Sequence, residues 1–192
     1  MSETDAERAP RSFAARVSLL FAALSVIIGT SLPYLPVWLD WAGLSPSEIA
    51  VVTAMPLIVR VGVTSIMAFA ADRAGDHRKF LIGLSWAGLA GLVALGLSRG
   101  FWPILAWTTV FSLAWTTILP LTETGAMSGV KAAGLDYGRM RLWGSLSFIA
   151  ASFLGGSVVA RLGAPSAIWL VAAGAGLTVA ATHGLPRPIG LA

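Results

Sequence analysis

The chain has no cysteine and few charged residues, and both absences narrow the chemistry that it can perform. Without cysteine, disulfide bonds and thiolate chemistry are excluded. The two histidines, His77 and His183, lie far apart in the sequence, and no cluster of metal ligands accompanies them. We also find no nucleophile–base pair and no phosphate-binding glycine loop. We therefore do not expect an enzyme, and we predict no cofactor and no metal.

The scarcity of charge is more informative than the net charge. Charged residues make up 11% of the 192 residues, against roughly 25% in soluble domains, and 56% of the residues are hydrophobic. A soluble fold of this composition would expose large apolar patches and aggregate. The formal net charge is +4, but the bases form no stripe and no nucleic-acid-binding motif. We therefore expect a protein of the lipid bilayer with no nucleic-acid partner.

Six apolar stretches are long enough to cross a bilayer as helices, each with about 20 mostly apolar residues. They predict an all-α membrane protein with a cytoplasmic tail over 1–12, a six-span bundle over 13–185 and a second tail over 186–192. The predicted spans are Phe13–Leu35, Ser47–Ala71, Phe80–Leu97, Phe101–Glu123, Tyr137–Ala160 and Ser166–Gly184. The residues that we expect to stop the helices are Pro36, Pro46, Gly75, Gly100, Gly134, Gly163 and Pro165.

Lysine and arginine orient the spans, because cytoplasmic loops carry an excess of both. The connections on one side of the predicted bundle hold only Arg99 and Arg161. The other side holds Arg8, Arg11, Arg16, Arg73, Arg78, Lys79, Lys131, Arg139, Arg141 and Arg187. Both termini are therefore predicted to be cytoplasmic. Small residues recur in spans five and six, as in Gly155-Gly156, and we interpret them as sites of close helix packing.

One acid and one base, Glu123 and Arg141, lie near the inner ends of spans four and five. A charged residue inside a bilayer costs about 2.5–3.5 kcal/mol on insertion scales, so it needs a partner or a purpose. If the two helices are neighbours, the side chains can meet and bind hydroxyls or a carboxylate. The alternative is that both side chains lie at the inner surface of the membrane, where headgroup water solvates them. Pro120, just before Glu123, is expected to bend or break span four.

A second base, Arg60, lies deep inside span two. It is about 12 residues into the helix, which corresponds to roughly 18 Å along the axis. At that depth an arginine is expected to face the bundle interior, where Glu123 or carbonyl groups near Pro33 could pair with it. A structural ion pair and a contact with a solute remain equally open.

The short loop after span two, Ala71–Lys79, is tight and charged. Considered alone, it is a basic loop that fixes orientation in the membrane. With six spans around it, the loop resembles the signature of the major facilitator superfamily, although Ala68 replaces the leading glycine and Asp76 interrupts the basic cluster. The resemblance implies a gating loop that latches helices during alternating access, with Asp72 in that role. The matching residues are Asp72, Arg73, Gly75, Arg78 and Lys79.

Two further stretches extend this resemblance over most of the chain. Pro120–Glu123 with Leu135–Ser145 is similar to the same region of phenylpropionate permease-like transporters and, more distantly, of lactose permease. The hairpin Leu35–Pro46 and the position of Arg60 also resemble the phenylpropionate group. The resemblance implies that Glu123 and Arg141 bind the solute, with Arg60 secondary.

The resemblance also bears on the solute. Phe148 stands where lactose permease stacks a tryptophan on sugar, so a ring is still available for stacking. The implied solute is small and organic: an aromatic or other organic acid, or a sugar. Proton-coupled symport across a bacterial-type plasma (inner) membrane is the implied activity, if the bundle is paired with a second half. In lactose permease the residues that couple protons lie in the half that has no counterpart here.

The length of the chain departs from the family pattern, because the superfamily has two six-span halves and this chain has one. The chain is therefore expected to be a fragment, one half of a split transporter or a repurposed subunit. One face of the bundle is expected to be covered by a second six-helix half, a second copy or another membrane protein. The alternative function is a structural or accessory subunit of a larger membrane complex, derived from a transporter half.

Overall fold

The computed structural model describes residues 3–74 and 77–185, without the side chains of 3–11, 64–72, 74, 77, 128–129 and 131–133. All elements in the described ranges are helices. They are α1 (Glu3–Trp41), α2 (Pro46–Ala74), α3 (His77–Leu97), α4 (Phe101–Ala133), α5 (Tyr137–Leu162) and α6 (Ser166–His183). Each is long and apolar enough to cross a membrane. The predicted all-α fold with six spans is confirmed.

Helix α1 lies at the centre of the bundle. It makes its largest contacts with α5 and α6, while α3 packs on α4 and α6, and α2 packs on α4. Large side chains such as Phe21, Trp38 and Leu92 are fully buried between these helices. Many apolar side chains remain exposed, and Val61 and Phe153 are both more than three-quarters exposed. Apolar residues on the outside are expected of helices that face lipid or a partner.

Two arginines join three helices at the end of the bundle where α1 and α3 begin and α6 ends. Arg16 Nη1 donates a hydrogen bond to the Gly184 carbonyl oxygen (3.0 Å). Arg78 Nη2 donates to the His183 carbonyl oxygen (2.7 Å). Cations at a helix C-terminus pair with its open carbonyl groups and with its dipole. We call this end of the bundle the basic end.

The expectation that α1 ends before Pro36 is wrong, because the helix continues to Trp41. A proline has no N–H, so the carbonyl group four residues earlier loses its helical donor. Helix α1 also runs through a second proline, Pro33, for which that carbonyl group belongs to Gly29, and Ser152 Oγ of α5 lies 3.1 Å from its oxygen. Membrane helices tolerate proline where a neighbouring helix supplies the missing hydrogen bond. The turn comes later, at Gly43, which has a φ of 89°.

The expected end of α4 at Glu123 is also wrong. The helix runs unbroken through Pro120 and ends at Ala133, where Gly134 adopts a left-handed conformation (φ 61°) and its N–H donates to the Val130 carbonyl oxygen. An L residue with a side chain adopts this conformation at a cost, and glycine does so freely. Lys131, expected in a loop, therefore belongs to the helix. Glu123 lies well inside α4 and not at its end.

The contact between α1 and α5 is very close. Tyr34 of α1 donates its hydroxyl proton to the carbonyl oxygen of Ser152. Its ring fills the space beside Gly155, where an added Cβ would lie 2.6 Å from Tyr34 Cε2. An added Cβ at Gly29 would lie equally close to the Phe148 carbonyl oxygen. We call Gly29, Tyr34, Ser152 and Gly155 the α1–α5 seam, and it agrees with the predicted packing role of small residues.

Candidate functional site

Glu123 and Arg141 meet, although α4 and α5 contact each other little. Arg141 lies in the second turn of α5, whose start is fixed by Asp136: its carboxylate accepts a hydrogen bond from the Arg139 N–H (3.2 Å). Arg141 Nε is 3.9 Å from Glu123 Oε1, and the two side chains are 42% and 40% exposed. The two side chains therefore meet, as expected if α4 and α5 are neighbours.

The distance between the two charged groups leaves their hydrogen-bonding atoms available to other groups. A charge-assisted N–H···O bond is about 2.7–2.9 Å long, so a separation of 3.9 Å is an ion pair without a close hydrogen bond. A half-exposed pair of this kind contributes at most about 1 kcal/mol to stability. A planar guanidinium and a carboxylate this close together can bind a solute that carries both acceptors and donors.

Helix α1 supplies a third side of the site, which the sequence did not predict. Arg141 Cζ lies over the Phe21 ring, 5.5 Å from its centroid. Phe21 is fully buried, and Tyr137 meets its ring edge-on at 6.1 Å between centroids. A guanidinium within about 6 Å of an aromatic centroid is attracted to the ring face. No signal in the sequence links Phe21 to residues so far along the chain.

Gly144 of α5 completes the site. An added Cβ there would lie 2.8 Å from Ser25 Oγ, 3.2 Å from Arg141 Nη1 and 3.4 Å from the Phe21 carbonyl oxygen. The absence of a side chain at this position gives room for the guanidinium beside α1. We call Phe21, Glu123, Tyr137, Arg141 and Gly144 the charged site.

Phe148 lies seven residues after Arg141, which places it on the same face of α5 two turns away. Its side chain is half-buried. Its carbonyl oxygen lies 2.9 Å from Ser152 Oγ and close to Gly29, so its backbone belongs to the packed part of the helix pair. The position is compatible with the predicted stacking contact, which stays a prediction.

Arg60 does not lie inside the six-helix bundle. It is on α2, and its side chain is exposed at the bundle surface. The expectation of an interior position is therefore wrong for these six helices. Helix α2 packs mainly on α4, which leaves much of its circumference open, with Leu57, Ile58 and Val61 exposed near Arg60. A substrate role for Arg60 stays a prediction.

The structure describes only part of the predicted gating loop. The Asp72 side chain and Gly75 lie outside the described residues. Arg73 is exposed at the end of α2. Arg78 ties the start of α3 to the end of α6 through the His183 carbonyl oxygen. The His183 ring also meets Trp86 of α3 edge-on at 6.3 Å.

A groove of about 640 Å³ lies between α1 and α5, and Asp136, Arg139 and Trp143 are among the residues that line it. Glu123 and Arg141 do not line it. Within residues 3–74 and 77–185, no three His, Asp or Glu side chains are grouped as metal ligands would be.

Comparison with known proteins gives one family and two relatives. The model of the MFS_1 like family matches residues 15–184. A probable 3-phenylpropionic acid transporter of Escherichia coli (strain K12) is 31% identical over 137 residues, which are 68% of this chain and 35% of that protein. Maltose permease of Geobacillus stearothermophilus is 30% identical over 135 residues, which are 68% of this chain and 33% of that protein.

The chain thus spans about a third of the length of these two relatives. No solved structure matches the chain significantly.

Proposed function

The chain belongs to the MFS_1 like family, within the major facilitator superfamily of transporters, and from this membership we propose that its six helices form half of a transporter for a small organic solute. The observation that carries the proposal is the Glu123–Arg141 pair. A charge pair drawn from two helices, half-exposed and not closed by a short hydrogen bond, is placed to hold a solute.

The chemistry of the pair favours a solute with oxygen acceptors and hydroxyl donors. The Arg141 guanidinium can bind a carboxylate or two hydroxyl oxygens through parallel N–H groups. The Glu123 carboxylate accepts hydrogen bonds from hydroxyl groups. The names of the two relatives give one aromatic acid and one sugar, and both classes fit these groups. Phe148, and Arg60 through the open side of α2, are proposed as secondary contacts.

Alternating access requires two bundles that rock about a central site. We therefore propose that this bundle works against a second six-helix unit, in the same polypeptide, in a partner chain or in a second copy. The exposed apolar side chains of α2 and α5 support this, because a face of this kind is stable only against lipid or protein. The basic end is proposed to be cytoplasmic, in the plasma (inner) membrane of a bacterium.

Proton coupling is part of the proposal. A carboxylate solute bound to Arg141 would lie close to the Glu123 carboxylate, and protonation of one carboxylate removes the repulsion between them. Dye-loaded vesicles that carry the complete transport unit are expected to acidify faster than protein-free vesicles when 3-phenylpropionate is added outside. Solute entry without a proton signal would contradict the coupling and leave the binding site untouched.

Equilibrium binding to the protein in nanodiscs tests the site. Radiolabelled 3-phenylpropionate and maltose are the probes, and the variants are Glu123→Gln and Arg141→Gln. Arg161→Gln, at the opposite end of α5, is the matched control. We expect the control to bind one of the probes as the wild type does. Arg141→Gln is expected to lose about a hundredfold in affinity, as when a charged hydrogen-bonding partner is removed. Equal binding by all four proteins would exclude the site.

Native mass spectrometry tests whether a second six-helix unit is bound to this chain. We expect the protein in detergent to include a species larger than one 192-residue chain, either a dimer or a complex with a second membrane protein. Isolated monomers alone, after mild extraction, would contradict a partner chain or a second copy and leave only a second unit in the same polypeptide.

A further inference from the structure

The Arg141 guanidinium is held from three directions. The Phe21 ring lies beneath it at 5.5 Å, Glu123 Oε1 lies near Nε at 3.9 Å, and the bare Cα of Gly144 lies beside Nη1. The ring itself cannot swing away easily, because Phe21 is fully buried and packs against Tyr137.

The contact between the ring face and the guanidinium is an attraction that holds the cation near the ring. At Gly144, a methyl group would stand 3.2 Å from Nη1, tighter than ordinary van der Waals contact, and would push the guanidinium away from α5.

We infer that Phe21 and Gly144 form a seat that sets the position of the Arg141 guanidinium beside Glu123, and that both are positioning residues for solute binding. The inference rests on the proposed binding role of Arg141. It adds that the place of the guanidinium, which a solute must match, is set by α1 as much as by α5. Tyr137 supports the seat from behind through its edge contact with Phe21.

The test measures the seat without a solute. Phenylglyoxal modifies exposed guanidinium groups, and peptide mass spectrometry reports the rate at Arg141, with Arg161 as an internal reference in the same protein. The variants are Phe21→Leu, Phe21→Tyr and Gly144→Ala. The matched controls are Phe111→Leu, a buried phenylalanine stacked on Trp115, and Gly174→Ala, where the new Cβ would lie 2.9 Å from Ile27.

Loss of the Phe21 ring is expected to raise the rate of Arg141 modification about two- to fivefold. This factor corresponds to the free energy of a cation–π contact at an exposed site. Phe21→Tyr keeps the ring and should restore the wild-type rate. Gly144→Ala should change the Arg141 rate, and neither control should. An unchanged rate in Phe21→Leu, or an equal increase in Phe111→Leu, would overturn the seat. If Phe21→Leu does not fold, Gly144→Ala and Phe21→Met decide the matter in the same way.

A second arm separates the seat from the proposed function. Addition of 3-phenylpropionate or maltose should slow modification of Arg141 in the wild type, and this protection should be weaker in Phe21→Leu. A seat effect without protection by either probe would refute the positioning role in solute binding and count against the proposed function, while the ring contact would remain. Protection that is equal in the wild type and in Phe21→Leu would refute the positioning role in solute binding and keep the proposed function.

Discussion

The α1–α5 seam and the charged site are built largely from the same two helices, yet they differ in how tightly they are packed. In the seam, an added Cβ at Gly155 would overlap the Tyr34 ring, and the Tyr34 hydroxyl reaches the α5 backbone. In the charged site, Arg141 Nε is 3.9 Å from Glu123 Oε1 and each side chain is about two-fifths exposed. The seam is filled by its own side chains, whereas the charged pair is half-exposed and not closed by a short hydrogen bond.

This difference separates stability from binding. Close contact of small residues is what holds helices together in lipid, where no hydrophobic effect drives them together. An exposed ion pair at long distance adds little to stability. The contrast therefore predicts that changes in the seam unfold the bundle, while changes in the charged site leave it folded and alter what it binds.

Filling the seam is expected to have the largest effect on stability. Gly155→Ala places a methyl group 2.6 Å from Tyr34 Cε2 and should lower the free energy of unfolding by about 1–3 kcal/mol, the usual cost of overpacking. Thermal unfolding in detergent, followed by circular dichroism, measures it. Gly176→Ala in α6 is the matched control, because nothing lies within 4 Å of its added Cβ. If both variants melt at the same temperature, Gly155 is not packed tightly against Tyr34.

Removal of the seam's hydroxyl should have an intermediate effect. Tyr34→Phe loses the hydrogen bond to the Ser152 carbonyl oxygen and should cost about 0.6–1 kcal/mol, the range for such bonds within membrane proteins. The chain has two tyrosines, so Tyr137→Phe is a natural control that keeps its ring contact with Phe21. We expect the control to unfold like the wild type in the same melting experiment. A larger loss for Tyr137→Phe than for Tyr34→Phe would reverse the comparison.

Neutralising the acid of the charged site should have the smallest effect. Glu123→Gln is expected to change the free energy of unfolding by no more than about 0.5 kcal/mol, because the ion pair is long and half-exposed. Arg78→Gln is the contrasting variant, because the Arg78 guanidinium donates a 2.7 Å hydrogen bond to the end of α6. This variant should lose more free energy of unfolding than Glu123→Gln. Chemical denaturation with both variants checks this. A strongly destabilised Glu123→Gln would mean that the pair is structural.

Much of the fold could be predicted from sequence because the length of the apolar stretches and the helix-breaking residues between them determine the six spans. The six spans were expected within a few residues, apart from both ends of α1, which begins at Glu3 and not at Phe13, and the C-terminal end of α4. The two C-terminal ends differ because Pro36 and Pro120 do not stop the helices in which they lie. At Pro33, the compensating group is Ser152, which is on another helix and cannot be identified from local sequence.

The charged site was predictable only in part. Charge in an apolar segment made Glu123 and Arg141 conspicuous, and the short connection between their helices let them meet. Phe21 was not conspicuous, since an apolar ring in an apolar helix carries no signal of its partner. Arg60 was conspicuous for its charge, but its direction depends on which side of α2 is covered, and sequence periodicity did not reveal that.

The most direct test of the central claim measures stability and binding in the same samples. Melting temperatures of the wild type and Arg141→Gln are compared with and without 3-phenylpropionate and, separately, maltose. We expect the two proteins to melt together without solute. One of the solutes should stabilise the wild type, by about 2.7 kcal/mol at a hundred times its Kd, and leave Arg141→Gln unchanged. Equal stabilisation of both proteins, or a variant already unfolded without solute, would contradict the claim that this pair binds a solute and does not hold the fold.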